Sequence, residues 1–257
     1  MSTYGRTPEA MVMRMRLLMK NAAMNATTAN DGEASTDLDI AHWPRRAAFE
    51  FYRSFDRPYF SICTRIDVTA LKPALAQAGI GSLTLACHFV ALCWANRLAP
   101  FRYRLVNGRV RVLGVVHAST TVLRTDESFG FAYLRHTDRF ADFAAQGAAA
   151  LQAAKDSGFA PRVDDQALVH FTTLPWLHFT SFEHARNWGR EDAIPKVAFG
   201  RIDSDAGGDH KRQWLPMAVE VHHALMDGLE VGRFVQGVEA AMRDPLPWLL
   251  GAELPQP

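Results

Sequence analysis

The chain has 257 residues, 48% hydrophobic and 21% charged, which suits a packed core and excludes a disordered or fibrous chain. Its 28 basic and 27 acidic residues leave a net charge of +1, without the basic excess of a dedicated nucleic-acid binder. Three cysteines, Cys63, Cys87 and Cys93, lack zinc-site spacing and read as reduced, core-packed thiols of a cytoplasmic protein.

Six of the nine methionines lie in the first 24 residues: Met1, Met11, Met13, Met15, Met19 and Met24. Arg14, Arg16 and Lys20 interrupt that run, so it lacks the apolar core of a secretory signal. It reads as a flexible extension, with an amphipathic docking helix as the alternative. Residues 25–37 are small and polar and read as a linker. The division expected is therefore a Met-rich extension over 1–37 and one domain over 38–257.

Within that domain, 60–68 alternates apolar and polar residues as a half-buried strand does. A helix over 71–78 stops at Gly79. Ser82 caps a helix over 83–98 that is apolar nearly all round, hence central. His88 and Asn96 interrupt it, and it is too short to span a bilayer. Asn107-Gly108 is a hairpin turn leading into a strand over 109–116. An Ala-rich helix over 138–155 ends at Gly158. Residues 167–182 hold a strand broken by Pro175. Two more strands, 196–202 and 215–223, flank the turn-rich 203–210. The last helix, 229–242, carries Val231, Phe234, Val235, Val238, Ala241 and Met242 on one face. This order predicts an α/β layer fold with a mixed sheet.

No dinucleotide fingerprint, phosphate loop, His-Glu-x-x-His or Gly-x-Ser-x-Gly motif occurs. Asp203, Asp205 and Asp209 around Gly207-Gly208 read as a solvated turn, because their spacing does not fit a calcium loop. His170, His178 and His184 are too scattered to suggest ligation, so no metal site is expected. The run Val221-His222-His223-Ala224-Leu225-Met226-Asp227-Gly228 closes a strand and opens a helix. Alternation puts Val219, Val221 and His223 on one face and His222 on the other. A histidine there, with a carboxylate four residues on, can take a proton from a hydroxyl and return it to a leaving group. Asp227 with Glu230 also reads as a capping box, which needs no catalysis. No activated Ser or Cys accompanies the run, which favours direct proton abstraction over a covalent intermediate.

His222 to Gly228, as H-H-x-x-x-D-G, resembles the active-site motif of the trimeric, acetyl-CoA-dependent chloramphenicol acetyltransferase family. Condensation domains of peptide synthetases and related acyltransferases share that motif; other segments separate them. Trp43-Pro44-Arg45-Arg46-Ala47-Ala48-Phe49-Glu50-Phe51-Tyr52-Arg53 resembles the family's opening helix. Phe60-Ser61 with Ile66-Asp67-Val68-Thr69 resembles its first long strand. Phe101-Arg102 with Asn107-Gly108, Leu174-Pro175-Trp176, Ser181-Phe182, Leu215-Pro216 and Gly232-Arg233-Phe234 follow in the family's order. The resemblance runs over about 43–242.

It implies a two-layer α/β sandwich with a mixed sheet and a homotrimer with active sites between subunits. His223 would be the general base, passing an acetyl group from acetyl-CoA to the hydroxyl of a small-molecule acceptor. Asp227 would pair with Arg45 to hold the histidine turn. Thr172 stands where the family has an oxyanion-stabilising serine. Phe51, Tyr52 and Phe60 match an aromatic wall of the acceptor slot. Asp56, His184 and Arg186 replace apolar positions, as Thr120 and Leu123 replace aromatic ones, and Ala198 replaces a hydroxyl-bearing residue. Unpaired charge in that slot would suit a polar acceptor and make chloramphenicol itself a poor substrate. The alternative is a biosynthetic acyltransferase with a different polar acceptor or a carrier-protein-bound substrate. A non-enzymatic binding trimer is disfavoured by the joint presence of Arg45, His223 and Asp227. No nucleic-acid or membrane partner is expected.

Overall fold

A computed structural model describes residues 35–162, 165–187, 191–205 and 211–251. The expectations for the methionine-rich segment and for Gly207, Gly208 and Asp209 lie outside the described residues. In chain order the elements are β1 (Ser35–Asp37), α1 (Arg46–Tyr52), β2 (Tyr59–Asp67), α2 (Leu71–Ala78), α3 (Leu83–Arg97), β3 (Tyr103–Val106) and β4 (Arg109–Leu113). Then come β5 (His117–Leu123), β6 (Phe129–Leu134), α4 (Phe140–Asp156), β7 (Leu168–Thr173), β8 (Lys196–Phe199), β9 (Asp203–Ser204), β10 (Gln213–His222), α5 (Gly228–Arg243) and α6 (Leu246–Leu250).

Strand β10 is the spine, because its alternation is complete. Leu215, Met217, Val219 and Val221 enter the main core, while Pro216, Ala218, Glu220 and His222 take the opposite face. It pairs antiparallel with β2, from Trp214↔Asp67 to His222↔Tyr59, and with β8. The large sheet runs β2-β10-β8-β7-β5-β6, with β9 attached to β10. The β5–β7 and β7–β8 pairs are parallel and the others antiparallel, so the sheet is mixed as expected. Helices α3, α4 and α5 cover its apolar face. Leu85 to Cys93 of α3 are all buried, and the Ser82 hydroxyl accepts the Leu85 N–H at 3.2 Å. This is the two-layer α/β build. The other, open face of the sheet carries polar side chains.

A small sheet, β1-β4-β3, turns at Asn107 (φ 52°) and Gly108 (φ 75°), which take the left-handed conformations of a tight hairpin. Residues 35–37, read as the end of a linker, pair instead with β4. Their backbone finds partners although the side chains are exposed. The strand expected over 167–182 ends at Thr173, since Pro175 has no N–H to continue a ladder. Helix α4 is closed by extended Ser157 rather than by Gly158. No single helix among the described residues is long and apolar enough to cross a membrane.

Candidate active site

Strand β10 stops at His222, and the His223 N–H donates to the Pro58 carbonyl at 2.7 Å, which fixes the turn to the entrance of β2. Beneath the turn, Phe49 of α1 packs with Leu105, Val110, Ala224 and Leu225 in a second small core. That packing sets Arg45, at the start of α1, against the turn. Its Nε and Nη2 donate to the two oxygens of Asp227 at 2.9 and 2.6 Å. Its Nη1 reaches the Ala224 carbonyl at 2.9 Å and its Nη2 the His223 carbonyl at 3.1 Å. One guanidinium thus holds both the carboxylate and the backbone that carries the histidine. The hydrogen bonds from Arg45 keep the Asp227 carboxyl below its ordinary range. The Asp227 N–H donates to Glu230 at 2.9 Å, so the residue also serves as the helix cap.

The His223 imidazole lies flat on the Tyr52 ring, with centroids 3.8 Å apart and planes at 11°, and leans on Phe60 at 4.6 Å. Its Nδ1 is 3.3 Å from Asp227 Oδ1 and makes no hydrogen bond among the described residues. Phe51 packs on Tyr52 at 5.1 Å and is itself mostly exposed. The imidazole side chain is 29% exposed, so an incoming hydroxyl can reach it between aromatic walls. His222 points the other way, accepting the Ala224 N–H at 3.2 Å and meeting Tyr59 edge-on at 5.0 Å. Burial, aided by Arg186, pushes its pKa down to about 4.

Thr172 sits elsewhere. Its row across the sheet is Thr172–Ala198–Ala218–Cys63, on the open face. From there to His223 is two strands across and five residues along β10, roughly 19 Å at ~4.8 Å per strand and ~3.3 Å per residue. The structure therefore brings together His223, Asp227, Arg45, Tyr52, Phe51 and Phe60. Within one chain it does not bring Thr172 to them. Asp56 lies in the exposed bend between α1 and β2. Thr120 faces the helical layer and is buried opposite Phe171, so it is no pocket wall, whereas Leu123 is exposed.

His184 and Arg186 belong to a buried network on the open face. Arg186 Nε donates to Glu220 at 2.5 Å, and its Nη1 donates to the Asp192 carboxylate at 3.2 Å and the Ile194 carbonyl at 2.8 Å. Its guanidinium lies over the Tyr59 ring at 4.6 Å. The His184 N–H donates to Glu220 at 2.9 Å, and Lys196 donates to Asp192 at 3.1 Å. The expectation of an unpaired Arg186 charge is thus corrected: Glu220 and Asp192 neutralise it. Burial pushes the Glu220 carboxyl up, but His184 and Arg186 outweigh it and bring the pKa to about 2. Next to them His170 bonds Ser119, and burial drives its pKa to about 3. A cavity of about 830 Å³ opens here, lined by Arg162, Gln166, His170, Arg186, Asp192 and Lys196 among others.

Glu220, Asp192, Lys196 and Ser119 were not singled out from the sequence. The available signal was a Glu within the otherwise apolar run Leu215 to Val221. Among the described residues no group of three or more His, Cys, Asp or Glu is arranged to hold a metal ion.

The chloramphenicol acetyltransferase family profile matches residues 34–239. Chloramphenicol acetyltransferase 2 of Escherichia coli is 28% identical over 207 residues, covering 79% of this chain and 95% of that protein. The chloramphenicol acetyltransferase of Streptomyces acrimycini is 28% identical over 221 residues, covering 82% and 96%. Among solved structures, a chloramphenicol acetyltransferase superposes with a TM-score of 0.74 at 22% identity, over 81% of this chain and 100% of that one. The dihydrolipoamide acetyltransferase of Azotobacter vinelandii shares the fold, with a TM-score of 0.59 at 16% identity over 78% and 87%. Fold and sequence together define an acyltransferase of two-layer α/β build. More narrowly, the chain belongs to the chloramphenicol acetyltransferase family, whose profile spans all the elements from β1 to most of α5.

Proposed function

We propose that the chain transfers an acetyl group from acetyl-CoA to the hydroxyl of a small polar acceptor, with His223 as general base. The observation that carries this is the His223 corner: a solvent-accessible imidazole stacked on Tyr52, on a turn clasped by Arg45 and Asp227. The imidazole removes the acceptor proton as the oxygen attacks the thioester carbonyl. The tetrahedral oxyanion then collapses, the carbon–sulfur bond breaks, and the imidazolium returns the proton to the CoA sulfur. Thr172 donates its hydroxyl to that oxyanion. Since Thr172 and His223 are far apart in one chain, this reading pairs the His223 of one copy with the Thr172 of the next, as in the trimer that the resemblance implies.

The polar lining of the open-face cavity, with His170, Gln166, Asn187 and Arg162 among its residues, supports a polar acceptor over an aromatic drug. Thiol release from acetyl-CoA, measured with chloramphenicol and a panel of polar alcohols and amines, tests the reading. Acceptor-dependent release, abolished in His223→Ala and poor with chloramphenicol, is expected. Release that persists without His223 sinks the base assignment, and fast turnover of chloramphenicol at low micromolar KM sinks the polar acceptor.

A further inference from the structure

Two consecutive threonines end β7, and only one can face the open side of the sheet. Thr172 does; Thr173, opposite Phe199, faces the helical layer. There Thr173 Oγ1 is hydrogen-bonded to His88 Nε2 at 3.2 Å. His88 is fully buried in the middle of α3, its ring against Phe171 at 4.8 Å and Phe199 at 6.0 Å. Its Nδ1 has no hydrogen-bond partner among the described residues. Every other residue from Leu85 to Cys93 is apolar, so a histidine here gives up hydration for one bond to one hydroxyl. Burial drives its pKa to about 3, so the imidazole is neutral and the bond carries no charge.

The place matters as much as the cost. The Leu174 N–H makes the last ladder bond, to Phe199, and the chain then turns away, with the Leu177 N–H on the Leu174 carbonyl. A slip of one residue at this end would exchange the two threonines between faces. We propose that His88 is a positioning residue for acetyl transfer: by holding Thr173 against α3 it keeps the Thr172 hydroxyl on the open face. This rests on the reading of Thr172 as the oxyanion donor.

His88→Leu and Thr173→Val remove the bond at nearly constant volume. Each is expected to lower kcat about tenfold or more, since small displacements of a reacting group have large kinetic effects. The KM values for acceptor and acetyl-CoA should stay within about twofold. The melting temperature should hold in the double variant, because replacing both partners leaves neither the imidazole nor the Thr173 hydroxyl unpaired. The double variant should lose no more than either single one, and His88→Leu should add nothing in a Thr172→Ala background. Should His88→Leu fail to fold, Thr173→Val tests the same bond from the strand side. A slow Thr172→Ala beside a fully active Thr173→Val overturns the positioning role and leaves the oxyanion reading standing. Equal slowing by His88→Leu with and without Thr172 overturns it too. A fully active Thr172→Ala brings down the oxyanion reading itself and this role with it.

Discussion

Two arginine–carboxylate assemblies lie at the two ends of the His222–His223 pair, and they differ in what they hold. Arg45 and Asp227 have side chains 16% and 42% exposed, and the guanidinium also grips the carbonyls of His223 and Ala224. Arg186 and Glu220 are 2% and 6% exposed, and that guanidinium grips the carbonyls of Asp192, Ile194 and Glu220. The first fixes a tight turn and leaves the imidazole on it reachable. The second ties the irregular segments 183–187 and 191–195 onto the sheet. Water screens the first pair in part, whereas the second depends wholly on its partners. The same chemistry thus organises an accessible imidazole in one place and a floor beneath a cavity in the other.

The largest expected effect separates the two in activity. His223→Ala should lower turnover by about 10²- to 10⁴-fold, the usual range for a general base, with the circular-dichroism spectrum retained. His222→Ala, on the opposite face, should be milder, and equal losses would break the face assignment. Next, Arg186→Leu should destabilise the fold by about 3–5 kcal/mol, because it leaves Glu220 buried and uncompensated. Arg186→Leu with Glu220→Leu should regain most of that in urea unfolding. If the double variant is the less stable, the network does more than neutralise itself. Smaller still, Arg45→Ala and Asp227→Ala should each lower stability by about 1 kcal/mol, reduced by the exposure of Asp227. Both should lower turnover, and the double variant should lose less than the sum. Strict additivity would show that the clasp does not work as a unit.

The legible parts were those with a strong local rule. The Ser82 cap, the Asn107-Gly108 turn and the alternation of β10 appear as read, because each is decided within a few residues. The His223 corner was legible from the motif and the resemblance. The β5–β6 hairpin was not: His117 to Leu123 is small and polar, and Ser119 and Thr120 are buried only because neighbouring strands cover them. The Arg186 network was missed for a similar reason. Glu220, Asp192 and Lys196 are distant in sequence or lie on an irregular segment, and only the sheet register brings Glu220 opposite Lys196. Which of Thr172 and Thr173 faces the open side of the sheet was likewise a matter of register.

Acid sharpens the comparison further. His88, His170 and His222 are buried neutral, with pKa values lowered from 6.5 to about 3, 3 and 4. Unfolded chains bind these protons first, so stability is lost as pH falls below 6.5. Around pH 5 the three groups give roughly 4 kcal/mol per pH unit, at about 1.4 per proton. Glu220 acts with the same sign lower down: its stabilisation is present above 4.5 and lost as pH falls toward about 2. The Asp227 carboxyl is lowered from 3.8, so the clasp with Arg45 begins to weaken only below that value. Acidification should therefore loosen the open face and the core before the His223 turn. Urea unfolding between pH 7 and 5 checks this, and His170→Asn should take about one proton, or 1.4 kcal/mol per pH unit, out of the slope. A wild-type stability that is flat across that interval would show that these histidines are not held neutral, and that the open face is no weaker toward acid than the turn.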